Sequence, residues 1–133
     1  MAVKINEIYQ CKECGIMTEV IHPGMGAPVC CGEPMTKLEA NCTDAKVEKH
    51  VPVIHRYGDI RQVVVGSELH PMTVEHNIVW IEIHFNDRVI RRYLKPGEKP
   101  EAEFCGIPED AEVTARAFCN LHGLWTSCKG CLN

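Results

Sequence analysis

The chain has 133 residues, 45% of them hydrophobic and 24% charged, and a formal net charge of −4. This composition excludes a disordered polypeptide and leaves room for one or two small globular domains. No apolar run approaches the ~20 residues of a membrane-spanning helix, and no Lys/Arg block exceeds two residues, so neither a membrane span nor a nucleic-acid footprint is expected.

The stretch Met1 to Glu7 lacks the apolar segment of a secretory leader, so the expectation is a cytoplasmic protein whose thiols stay reduced. That expectation sets the meaning of the nine cysteines, Cys11, Cys14, Cys30, Cys31, Cys42, Cys105, Cys119, Cys128 and Cys131. In a reducing compartment, clustered cysteines hold metals or carry redox chemistry more often than they form disulfides.

Four of them fall within residues 1–38, where large apolar residues are sparse. So short a segment cannot bury enough surface to fold alone and needs a staple. Cys11-Lys12-Glu13-Cys14-Gly15 has the spacing of a metal knuckle, in which both thiolates reach one ion and the glycine allows the turn. Cys30 and Cys31 complete a set of four sulfurs. Adjacent cysteines cannot build a second ordinary knuckle, so this is not a standard zinc ribbon. On these residues alone the site suits zinc and iron equally.

Residues Glu39 to Asp44 read as a polar connector. From about Lys46 the pattern changes to period two. A β-branched run contains Ile60, Val63 and Val65. Ile78 to Phe85 reads as a strand nearly apolar on both faces, Asn86-Asp87 as a turn, and Arg88 to Leu94 as the returning arm of a hairpin. Val113 to Phe118 reads as the last strand. Short strands with Pro/Gly punctuation and weak helical periodicity predict an all-β fold with an antiparallel sandwich. The predicted domains are 1–38 and 39–133.

Histidines recur in three places in this second part: His50 after Glu48 and Lys49, His70 and His76 around Pro71-Met72, and His122 in Cys119-Asn120-Leu121-His122-Gly123. Any one of them is ordinary; the set is what points to a metal. His22, His55 and His84 are assigned to a loop, a strand surface and a strand. Cys42 and Cys105 read as small buried hydrophobes. The Cys128/Cys131 pair suits a redox dithiol, a chance pair of metal ligands or an inert frayed tail, and the last is the favoured reading.

Taken in order, Cys11-x-x-Cys14, Cys30-Cys31, Glu48-Lys49-His50-Val51-Pro52, His70-Pro71-Met72, His76, Leu94-Lys95-Pro96-Gly97 and Cys119-Asn120-Leu121-His122-Gly123 resemble the desulfoferrodoxin family of two-iron superoxide reductases. The likeness runs over nearly the whole chain, although the Cys128/Cys131 pair departs from it.

The resemblance implies a desulforedoxin-like domain holding iron through Cys11, Cys14, Cys30 and Cys31, with zinc as a substitute, followed by an immunoglobulin-like β-sandwich. It implies a second iron bound by His50, His70, His76 and His122 with Cys119 as the axial thiolate. It also implies Glu48 as a carboxylate cap on the oxidised iron, a rubredoxin-like electron donor, and a homodimer. Iron(II), one thiolate and neutral imidazoles leave a single positive charge, opposite in sign to superoxide. Lys49 would add local positive charge for steering and for hydrogen bonding the anion.

Three other classes remain open. A structural zinc module would be colourless and unreactive to superoxide. A pure electron carrier would not need His50 or Cys119. A dismutase would also evolve oxygen.

Overall fold

The structure, a computed structural model, describes residues 2–42, 50–66 and 69–127. Among these residues every regular element is a β-strand. The chain divides into two compact units, Met1–Glu39 and Ala40–Asn133. Glu48, Lys49, Cys128 and Cys131 lie outside the described residues.

The first unit contains seven very short strands: β1 (Ala2–Val3), β2 (Ile8–Gln10), β3 (Met17–Glu19), β4 (Gly24–Met25), β5 (Val29–Cys30), β6 (Glu33–Pro34) and β7 (Thr36–Lys37). β1 pairs with β4, β2 lies between β3 and β7, and β5 turns back on β6. The buried cluster is Val3, Tyr9, Cys11, Val20 and Met35, with Ala27 and Cys30 packed against it. Two members of that list are cysteines, so the sulfurs are part of what this unit has for a core.

The second unit has seven longer strands: β8 (Pro52–Tyr57), β9 (Ile60–Val65), β10 (Ile78–Phe85), β11 (Arg88–Tyr93), β12 (Glu101–Phe104), β13 (Val113–Cys119) and β14 (Gly123–Thr126). They form two sheets in the orders β11-β10-β13-β14 and β12-β9-β8, antiparallel at every pairing. Alternate residues on both sheets face inward, as the pleat requires. Val63, Val65, Ile81, Ile83, Ala115 and Ala117 are all fully buried in the cluster between them. Burying a Val or Ile side chain stabilises by about 1.5–3 kcal/mol, so this sandwich has its own means of folding.

The turns follow from local chemistry. Phe85 pairs with Arg88, so Asn86-Asp87 is a two-residue hairpin loop, and Asn86 takes the left-handed conformation at φ 53° that such loops need. The β13–β14 hairpin is tighter than the sequence reading allowed. Cys119 pairs with Gly123, and Gly123 turns the chain at φ 85°, where a side chain would be strained. Val113 to Phe118 is therefore not the last strand; β14 follows it. A four-residue strand directly after a loop has too little alternation to stand out in the sequence.

Two further expectations change. β10 is apolar on its inward face, but its other face carries Glu82, fully buried, and the half-buried His84. Arg91 and Arg116 stand opposite Glu82 on the neighbouring strands. Arg91 Nε donates to Oε1 at 2.8 Å and Arg116 Nε to Oε2 at 2.7 Å, while His84 Nε2 donates to Oε2 as well. Burial pushes the Glu82 carboxyl up, but the His84 hydrogen bond and the two guanidinium charges outweigh it and bring it down to about 2. Cys42 and Cys105, expected to be buried, are both exposed. A lone cysteine carries no periodic signal that would place it.

Candidate metal centres

In the first unit the knuckle forms as its spacing demands. Cys11 N donates to the Ile16 carbonyl at 2.8 Å and Gly15 N to the Cys11 carbonyl at 3.0 Å. The Cys14 amide donates to Cys11 Sγ at 3.5 Å, and Gly15 takes φ 84° to turn the chain away. The unusual Cys30-Cys31 pair is resolved by the backbone. Along a strand, neighbouring side chains point to opposite faces. Cys31 leaves the strand in the left-handed region at φ 53°, so both sulfurs come to one side, 3.9 Å apart. Cys14 Sγ is 3.5 Å from Cys30 Sγ, and the four Sγ atoms all lie within 4.8 Å of one another.

Cys11 and Cys30 do not ionise alike. The hydrogen bond from the Cys14 amide lowers Cys11 to about 7, whereas the Cys14 side chain beside it pushes Cys30 up to about 12. A divalent metal would replace those protons and satisfy four crowded sulfurs at once. The donor set fits iron and zinc.

In the second unit the ligand candidates come from loops and strand ends. His50 sits just before β8, His70 and His76 lie in the loop before β10, Cys119 ends β13, and His122 lies in the turn to β14. His50 and His70 are almost fully buried, Cys119 is completely buried, and His122 is exposed. The site therefore has a closed, sulfur-lined floor and an edge that reaches solvent.

The four imidazoles form a closed ring of neighbours. Their centroids are 4.6 Å apart for His50–His70, 4.6 Å for His70–His76, 5.1 Å for His76–His122 and 4.8 Å for His122–His50. The His50–His76 diagonal is longer, at 6.2 Å. Each neighbouring pair meets edge to face, with interplanar angles of 66° to 79°. His50 Nε2 is 3.1 Å from His122 Nδ1, and Cys119 Sγ is 3.8 Å from the same Nδ1. One donor atom from each of His50, His76, Cys119 and His122 lies within 4.8 Å of all the others. His70 stands outside that set of four but beside it. Its Nδ1 is 2.7 Å from the Pro71 carbonyl, which fixes Nδ1 as the N–H and leaves Nε2 as the nitrogen that could meet a metal.

Sequence reasoning missed what holds these side chains. Trp125 stacks on His50, with centroids 4.6 Å apart and planes 15° from parallel. Its Nε1–H donates to the His122 carbonyl at 3.1 Å. Trp125 is itself bridged to Asn41, so part of the expected polar connector joins the sheet edge. No residue spacing announces a stack between positions 50 and 125; only the register of β14 does. His22 is exposed, His55 lies on β8, and His84 lies on β10 with Glu82, so none belongs to this ring.

A four-sulfur cluster on a small stapled unit, and an imidazole ring over a buried thiol on an antiparallel sandwich, define a two-site non-haem metalloprotein. Comparison with known proteins agrees across both units. Residues 4–38 match the family model for the desulfoferrodoxin N-terminal domain and residues 42–128 the model for desulfoferrodoxin. The chain belongs to the desulfoferrodoxin family.

The desulfoferrodoxin of Syntrophotalea carbinolica is 50% identical over 127 residues, covering 96% of this chain and 98% of the relative. The superoxide reductase of Pyrococcus horikoshii is 38% identical over 108 residues, covering 68% of this chain and 94% of the relative. The crystal structure of the superoxide reductase from Treponema pallidum superposes with a TM-score of 0.69 at 31% identity, covering 92% of this chain and 96% of that one.

Proposed function

We propose that the chain is a superoxide reductase that takes superoxide, one electron and two protons to hydrogen peroxide without releasing oxygen. The observation that carries this reading is the ring of His50, His70, His76 and His122 beside the buried Cys119 thiol, open to solvent at His122. Iron bound there would supply the electron to superoxide. A second iron would occupy Cys11, Cys14, Cys30 and Cys31, a set that also accepts zinc.

The chain's residues divide the remaining work. Cys119 places its sulfur inside the sandwich core, away from water, where it would serve a metal as a thiolate. Imidazole ligands would add no charge, so a divalent iron held here would keep net positive charge toward an anionic substrate. Trp125 orients His50 and His122. Lys49, next to His50 in sequence, would steer the anion inward and hydrogen-bond it, and Glu48 would be the carboxylate available to the oxidised metal.

We assign residues 1–38 to the four-cysteine domain and 39–133 to the catalytic domain. The donor is a small rubredoxin-like carrier. The thiols of the first cluster, unpaired by disulfides, favour a cytoplasmic setting. No helix among the described residues is long and apolar enough to cross a membrane. Ile16, Ile21, Met25 and Val29 on the small unit are all more than half exposed, which favours pairing with a twin chain.

Metal analysis with visible spectroscopy tests the reading. Two irons per chain are expected, with separate thiolate-to-iron bands and superoxide oxidising only the second centre. A protein that after iron loading shows no superoxide-dependent change would refute it.

A further inference from the structure

Three candidate ligands of the second site lie on two segments that do not follow one another in the chain. His76 belongs to the loop before β10, and Cys119 and His122 belong to the β13–β14 turn. The β10–β13 ladder brings Cys119 opposite Ile78, and beyond that last rung one further contact sets the spacing of the loop and the turn.

That contact is Asn120. Its Oδ1 accepts from the Asn77 backbone N–H at 2.9 Å, its Nδ2 donates to the Glu75 carbonyl at 3.0 Å, and its own backbone N–H donates to the Asn77 carbonyl at 3.2 Å. Three bonds from one residue thus grip the backbone on both sides of His76. The loop is braced from within. Asn77 Nδ2 donates to the carbonyls of Thr73 and Val74 at 2.9 and 3.2 Å. The His76 N–H donates to Thr73 Oγ1 at 3.0 Å, and Thr73 N donates to the His76 carbonyl at 2.9 Å. Asn120 itself is exposed, whereas Asn77 is buried. An exposed side chain whose amide oxygen and amide nitrogen both bond one neighbouring loop contributes little to the core. Its effect falls on the relative position of the two segments.

We propose that Asn120 is a positioning residue that locks the His76 loop to the Cys119–His122 turn, so that thiolate and imidazoles meet the metal as one preformed set. This rests on the metal site assigned above. Outer-shell partners of this kind typically alter metal affinity by about 10–100-fold.

The test compares Asn120→Ala, Asn120→Asp and Asn77→Ala with the unaltered full chain. Three quantities are read: the rate of iron loss to a chelator, the position and strength of the thiolate band of the second centre, and the thermal midpoint of the metal-free protein. Cobalt(II) serves as a second probe metal with its own thiolate band.

Asn120→Ala is expected to lose iron roughly 10–100-fold faster and to shift or weaken the band, with a midpoint close to that of the parent. Asn120→Asp keeps the acceptor for Asn77 but not the donor to Glu75, and is expected to fall between. The Asn77→Ala/Asn120→Ala pair should be less than multiplicative, because both act through one loop. A lowered midpoint with unchanged iron loss and an unchanged band in both Asn120 variants would overturn the proposal, leaving a merely structural contact. If the parent binds iron and cobalt at this site but superoxide does not oxidise the iron, the catalytic reading fails while the clamp is still tested. If it binds neither metal there, both fall.

Discussion

The two units use metal in opposite ways. In the first, the buried cluster numbers five residues, one of which is the ligand Cys11. In the second, the cluster numbers fifteen among the described residues, and Cys119 is the one candidate ligand among them. Remove the metal from the first and its core loses the atom that joins its sulfurs. Remove it from the second and a sandwich of two sheets remains. A metal is thus part of the fold where apolar burial is too small, and an addition at the end of a finished fold where burial suffices.

The sharpest break of this comparison is at Cys119. Cys119→Ser should abolish superoxide reduction, beyond the ~10–100-fold cost of an outer-shell change, while the first centre keeps its colour and the sandwich stays folded. Rapid mixing with superoxide, together with the visible spectrum, checks it.

Cys14→Ser should act on the other side. Structural metal binding of this kind is worth on the order of 10 kcal/mol, so residues 1–38 should become protease-sensitive while the second centre still reacts with superoxide. Limited proteolysis and a stopped-flow rate on the same sample decide it. Loss of both activities together would show that the units depend on each other.

Glu82→Gln tests the claim that the sandwich is stable in its own right. It leaves Arg91 and Arg116 facing a neutral group inside the protein, and the cost should be roughly 3–5 kcal/mol at neutral pH. The folded carboxyl lies at about 2, below its ordinary 4.5. Its contribution is therefore complete above 4.5 and is lost as pH falls toward 2. Denaturant unfolding across that range should show the variant and parent converging in acid. A constant difference at all pH values would refute the assignment.

Smaller effects probe the catalytic surface. Trp125→Phe keeps the stack on His50 but removes the N–H donated to His122, a bond worth about 1 kcal/mol. Iron loss should quicken by up to about tenfold. Lys49→Ala should slow superoxide capture and flatten its dependence on ionic strength. An unchanged second-order rate would remove Lys49 from the mechanism.

The amino-acid sequence by itself determined the features whose physics is local. The Cys11/Cys14 knuckle, the Asn86-Asp87 hairpin and the alternation of Ile60 to Val65 are all set within a few residues, by spacing, turn chemistry and pleat. The ring of histidines was legible only as a set matching a family pattern, because His50 and His122 lie in distant parts of the chain. Tertiary structure alone decided the rest. The left-handed turn at Cys31 aligns two adjacent sulfurs. The strand register places two arginines around Glu82. Residues far apart in sequence meet as Trp125 on His50 and Asn120 on the His76 loop. The expectation that Cys42 and Cys105 are buried failed for the same reason: burial is a property of what packs around a residue, and a single side chain does not carry that information.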